Sequence, residues 1–162
     1  MKKALPITCF FLLNMAIPLA HARDFMLKDF VGAWIFSAHT IGGLGQETGP
    51  GEAIGGIKRF IFHANGTGQV NDGTVVVYGA DNKLGVFDIN EEDTITLNLT
   101  DPASGSGTLT SVDTKNNKTV VYRFLAARNK SGKATRLQLI NVRIDSEPAN
   151  VIIMGELTRQ DE

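Results

Sequence analysis

The chain has 162 residues, 16 basic and 17 acidic, for a formal net charge of −1. A balance this close to neutral lacks the excess of Lys and Arg that nucleic acid or an anionic membrane rewards, so neither is expected as the main partner. Cys9 is the only cysteine, which excludes an intramolecular disulfide and leaves stability to packing; a protein that loses Cys9 with a cleaved leader has no cysteine-ligated metal either.

Residues 1–22 read as a secretory signal peptide. Lys2 and Lys3 precede an apolar run from Ala4 to Ala20, and Ala20-His21-Ala22 forms a small-x-small site before Arg23. Pro6, Asn14 and Pro18 interrupt that run, which falls short of the roughly 20 apolar residues of a spanning helix, and this favours cleavage over anchoring. Cys9 sits inside the run rather than after a small residue at its end, which argues against a lipoprotein. Cleavage removes Cys9 with Lys2 and Lys3 and no acid, leaving 14 basic residues against 17 acidic. The short Met-Lys-Lys start has a bacterial character, so the expected location is periplasmic or secreted. The sequons at Asn65, Asn98, Asn117 and Asn129 are then by-products of a turn-rich, Thr-rich composition. Residues 23–162 suit one domain, able to bury about two-thirds of its unfolded surface.

Strand periodicity dominates that domain. In chain order, runs rich in β-branched and aromatic residues occupy Val31 to His39, Ile57 to His63, Thr74 to Tyr78, Leu84 to Ile89, Thr94 to Thr100, Thr108 to Val112, Thr119 to Ala126, Thr135 to Val142 and Val151 to Leu157. Thr94 to Thr100 alternates without a fault, with Ile95, Leu97 and Leu99 on one face. Between the runs lie turn signals. Asn65-Gly66 predicts a type I′ hairpin, and further turns are expected at Asn71-Asp72-Gly73, Asp101-Pro102, Lys115 to Lys118, Asn129 to Gly132 and Ser146-Glu147-Pro148. Short links favour antiparallel neighbours, and a sheet this wide must close or fold over to hide its edges. The expected fold is all-β, a single-domain antiparallel up-and-down β-barrel of about 8–10 strands, with a β-sandwich as the alternative. A membrane barrel fits less well. Most runs are shorter than the nine to eleven residues such strands need, and two Tyr and one Trp are too few for two aromatic girdles.

Phe30-Val31-Gly32-Ala33-Trp34 resembles the G-x-W signature on the first strand of lipocalins and the wider calycin group. The resemblance implies a ligand-carrying barrel in which Gly32 and Trp34 are structural. It also implies a basic residue from near the last strand, Arg159 or Arg143, packed over the indole. The T-D-Y motif of typical lipocalins is missing, and no helix is evident between the last strands.

Downstream of that motif, seven of the 15 positions from Gly42 to Gly56 are glycine, which predicts a long loop rather than an element. It reads either as a flap over the barrel mouth or as a plain crossover. It lacks the Lys-Ser/Thr ending of a phosphate loop. No catalytic constellation is recognisable, so no enzymatic activity, cofactor or metal is expected. His39 and His63 belong to no metal pattern, Ser104 and Ser106 lie in a turn, and Glu91-Glu92-Asp93 reads as a solvated hairpin tip.

Polar residues within the strands set the remaining question. Arg59 and Arg123 alternate with aromatic neighbours, and Arg136 and Arg143 flank Leu137 to Val142. Two inward arginines would require a carboxylate or an anionic ligand group, because unpaired burial of charge is prohibitive. The favoured alternative turns the arginines outward with their stems packed down. Phe60, Phe62, Tyr122 and Phe124, with Tyr78, then form the core or line a ligand cavity. Two functions follow: a carrier of a small hydrophobic molecule, as the lipocalin resemblance implies, or a protein-binding module, such as an inhibitor or an envelope or host-directed factor, on a filled barrel. Neither calls for nucleic acid or stable membrane insertion. N-terminal sequencing of exported protein is expected to begin at or near Arg23; intact Met1 in a membrane fraction would refute the leader.

Overall fold

The computed structural model describes residues 23–41, 54–78, 84–89, 93–115, 117–145, 147–148 and 152–160. A short 3₁₀ helix, η1 (Leu27–Phe30), precedes ten strands: β1 (Gly32–Ile41), β2 (Ile54–Phe62), β3 (Thr67–Tyr78), β4 (Leu84–Ile89), β5 (Asp93–Asp101), β6 (Ser106–Asp113), β7 (Lys118–Arg128), β8 (Ala134–Ile144), β9 (Glu147–Pro148) and β10 (Ile152–Arg159). The strands form one antiparallel up-and-down sheet in the order β10-β1-β2-β3-β5-β6-β7-β8, and pairing of β10 with β8 closes it into an eight-stranded barrel. β4 pairs only with β3 and stands outside the closed circuit, while β9 is a two-residue bridge to β8.

Local chemistry departs from the sequence reading at three turns. Asn71-Asp72-Gly73 is not a turn but part of β3. Arg59 pairs with Asp72 while the next residue, Phe60, pairs with Val70, so Asn71 is an extra residue, a β-bulge, where β3 passes from its β5 partner to its β4 partner. Asn65-Gly66 is not a type I′ turn, because Gly66 alone has positive φ, at +84°. Gly66 N–H donates to His63 C=O at 3.0 Å, and the Asn65 side chain accepts from Thr67 N–H, so the hairpin takes the longer form that ends on a left-handed glycine. Asn129 to Lys133 repeats that form with Gly132 at φ +85°. Finally, Glu147 and Pro148 bridge to β8 rather than only turning. Of the glycine-rich segment, Ile54, Gly55 and Gly56 belong to β2, and residues 42–53 lie outside the described residues.

Alternation along the strands puts the aromatic faces inside. Phe36, Phe60, Phe62, Tyr122 and Phe124 are buried, whereas Arg59, Arg123, Arg136 and Arg143 are exposed on the outer wall. An eight-stranded barrel has an interior just wide enough for side chains to fill, and here rings do most of the filling. Phe36 stacks on Phe60 with centroids 5.1 Å apart, Tyr122 meets Phe36 edge-on at 6.0 Å, and Phe62 meets Trp34 edge-on at 6.2 Å. Inward glycines make room for them. A Cβ on Gly155 would fall 2.5 Å from the Phe36 ring, and one on Gly107 would fall 2.6 Å from Phe124.

One end of this barrel is sealed by the segment that leads into β1. Phe25 N–H donates to Pro102 C=O at 2.8 Å, bringing the segment across the β5–β6 turn, and Phe30 tucks against Phe124. Asp29, buried, takes two hydrogen bonds from the Arg23 guanidinium, at 2.5 and 3.0 Å, and one from Met26 N–H at 2.9 Å. Burial pushes the Asp29 carboxyl up, but the Arg23 and Met26 hydrogen bonds and the charges of Arg23 and Lys28 outweigh it and hold it below the usual carboxylate range. Trp34 is fully buried and donates from Nε1 to Phe30 C=O at 2.8 Å. The Arg159 guanidinium lies 4.9 Å over its ring. Arg159 also donates to Ala134, Val31 and Asp29 carbonyls at 2.7, 2.6 and 2.5 Å. Gly32 adopts φ +128°, where a Cβ would press on Arg159 Nη1 at 3.2 Å, so the glycine before this Trp serves both the backbone and the clamp. Of the two arginines considered for that place, Arg159 takes it and Arg143 is exposed on β8. Trp34→Ala is expected to cost about 3–5 kcal/mol in chemical denaturation; a loss below about 1 kcal/mol would mean that Trp34 does not anchor this end of the barrel.

Candidate functional site

The end opposite the lid is built differently. β1 finishes there at Ile41 and β2 starts there at Ile54, and the β6–β7 turn and the connection from β8 to β10 lie at the same end. Phe36, Phe60 and Tyr122, whose ladder partners are Leu157, Val70 and Leu109, form an aromatic floor on this side, and all six are buried. Val120, Ala38 and Ile153, partly buried and packed against the core, stand above it.

Toward this end polar side chains join the inward faces of the strands. Asp93, at the start of β5, is buried and accepts from Lys58 Nζ at 3.3 Å. Lys58 shares its strand face with Phe60 and Phe62, and its side chain is 22% exposed against 6% for Asp93. Asn141, buried on β8, accepts from Ile153 N–H at 2.8 Å and so ties β8 to β10 beyond their last ladder pair. Burial, with the charge of Asp93 added, pushes the Tyr122 hydroxyl up to about 12. The inward side chains at this end thus outline a cup, an aromatic base with a lysine–aspartate pair at one side.

The five residues proposed from the sequence do not all meet at this cup. Phe60 and Tyr122 form part of its floor, each against Phe36. Phe62 and Phe124 lie deeper, packed on Trp34 and Phe30 near the lid. Tyr78 is in the part of β3 paired with β4, and its side chain lies outside the described residues. Asp93, assigned to a solvated hairpin tip, is instead an inward residue of β5; Glu91 and Glu92 lie outside the described residues. Lys58, Asp93 and Asn141 were missed although the alternation contained them. Lys58 is two residues before Phe60, Asp93 two before Ile95 and Asn141 two after Leu139.

His39 is exposed on β1 and His63 exposed at the β2–β3 turn, toward opposite ends of the barrel. Ser104 and Ser106 bond to each other at 3.1 Å in the β5–β6 turn, where Ser104 N–H and Ala103 N–H also donate to Asp101. Among the described residues no three of His, Cys, Asp and Glu are grouped to hold a metal, and no helix is long and apolar enough to cross a membrane. No family model, no curated protein and no solved structure matches the chain.

The raised Tyr122 pKa makes a testable statement about pH. The unfolded tyrosine ionises near 10 and the folded one at about 12, so the folded chain holds this proton more tightly. That contribution is complete below pH about 10 and is lost as pH rises toward 12. Tyrosinate absorbance should show a late step near pH 12 that Tyr122→Phe lacks, and stability should fall less steeply above pH about 10 in the variant.

Proposed function

We propose that the chain is an exported, lipocalin-like binding protein that holds a small apolar or amphipathic molecule at the barrel mouth. The asymmetry of the interior carries this reading. One end is closed by a lid and an Arg159–Trp34 clamp, while toward the other an aromatic floor stands beside an inward lysine–aspartate pair. The clamp has the form that the G-x-W resemblance implies. The apolar interior and the arginine-bearing outer wall are the inverse of a membrane-spanning barrel, which supports a protein exported into an aqueous compartment. Because Phe60, Phe62 and Phe124 fill the lower barrel, the ligand is shallow and sits above Phe36 and Tyr122 rather than threading the full interior.

A second reading, a protein-binding module on a filled barrel, draws support from the outer wall of β7, β8 and β10. Leu125, Ile140, Val142 and Met154 are each at least 40% exposed there.

Titration with a medium-chain fatty acid and with an environment-sensitive apolar dye separates the two. The carrier reading expects saturable binding, weakened about tenfold or more by Ala38→Trp, which fills the cup from β1, and changed by Lys58→Met. No saturable binding in the wild type, or binding indifferent to Ala38→Trp, would replace the carrier reading with the protein-binding one.

A further inference from the structure

The lid end carries a surface that ligand binding at the mouth leaves unused. Lys28 and Val31 of the lid, Ser131 and Lys133 of the β7–β8 turn and the edge of Arg159 line one open cleft of about 860 Å³. Lys130 is exposed on that same turn. Arg23 reaches toward Gly132 C=O, and Arg128, lying over the Phe25 ring, donates to Arg23 C=O. Four cations therefore gather on the lid and this turn, Arg23, Lys28, Lys130 and Lys133, joined by Arg128 from the end of β7 and Arg159 from the end of β10. The carboxylates of the lid and turn are Asp24 and Asp29, and Asp29 is buried and engaged by Arg23; Asp101 lies at the β5–β6 turn beneath the lid, and Asp161 and Glu162 follow Gln160 in the sequence. Among the described residues Lys28, Lys130 and Lys133 make no ion pair. The chain is nearly neutral as a whole, so this is a segregation of charge that the net figure conceals.

Apolar side chains stand among these cations. The lid turns Phe25 and Phe30 into the barrel yet leaves Met26 51% and Val31 38% exposed. Val31 lines the cleft with Lys28 and Lys133, and Met26 stands two residues before Lys28; exposed apolar residues beside lysines suit an interface in which the former enter a hydrocarbon boundary and the latter meet phosphates. A soluble polyanion would use the cations alone and give Met26 and Val31 no reason to face outward.

We propose that the lid end docks peripherally on an anionic lipid bilayer, with Met26 and Val31 at the headgroup–acyl boundary and Lys28, Lys130 and Lys133 against lipid phosphates. No strand or helix enters the membrane, and the mouth at the opposite end points away from it.

Co-sedimentation of the purified protein with phosphatidylcholine vesicles, with and without phosphatidylglycerol, tests the proposal. Binding is expected only with phosphatidylglycerol, falling as salt is raised. The double variant Lys28→Glu and Lys133→Glu should bind about twentyfold more weakly or worse. Met26→Ser with Val31→Ser should weaken binding while keeping its salt dependence. All four side chains are exposed, and an unchanged thermal unfolding midpoint checks that each variant is folded. Equal sedimentation with both vesicle types, binding indifferent to the lysine reversals, or capture by heparin without capture by vesicles would each overturn the proposal. Apolar-dye titration at the mouth is expected to be unchanged in the lysine variant, so failure of the docking proposal is distinguishable from failure of the carrier reading.

Discussion

Everything at the closed end depends on one guanidinium. Arg159 sits at the end of the last strand, yet its donors reach the lid at Asp29 and Val31 and the start of β8 at Ala134, and its face covers Trp34 of the first strand. A cation over an indole is worth about 0.5–2 kcal/mol. The larger effect is that a single rigid fork holds three carbonyls from separate segments, Asp29, Val31 and Ala134. Lysine cannot replace it, since a point charge would serve the ring or the carbonyls but not both geometries.

Sealing this end fixes how the interior divides. Trp34, Phe62, Phe30 and Phe124 pack against the lid, and toward the mouth Lys58, Asp93 and Asn141 join the inward positions. Asp93 is tolerated inside because Lys58 compensates it; removing either partner would leave a charge poorly solvated, a change that commonly costs more than an intact pair contributes.

Much of this was legible in the sequence because a half-buried strand has a period of two, and one phase of that period fixes every side chain in it. The strands and the shared aromatic face of β2 and β7 follow from alternation; the barrel rests in addition on the short antiparallel links, and the outward arginines on the cost of burying unpaired charge. The neglected corollary of alternation was that the phase continues past the apolar residues, which carries Lys58, Asp93 and Asn141 inward with their neighbours. Turn chemistry was less decisive. Asn71-Asp72-Gly73 has the composition of a turn but serves as a bulge, because the ladders on both flanks continue through it. Arg159 could not be separated from Arg143 by sequence: the choice depends on barrel stagger, which no local pattern records.

The pairing that closes the barrel has a kinetic meaning. β1 and β10 join the two extremes of the described chain, with Trp34 opposite Arg159, and Gln160 N–H caps the junction on Ala33 C=O. The hairpins from β5 to β8 can form from near neighbours, but this seam cannot form until the last strand is present. Loop closure over such a separation makes it a slow, late step. Until then β1 and β8 each present an open edge, the state in which strands of different molecules pair most readily. A chain emerging N-terminus first would therefore carry its first strand unpaired on that side through the whole of its synthesis, and would depend on something else to shield that edge until Arg159 arrives.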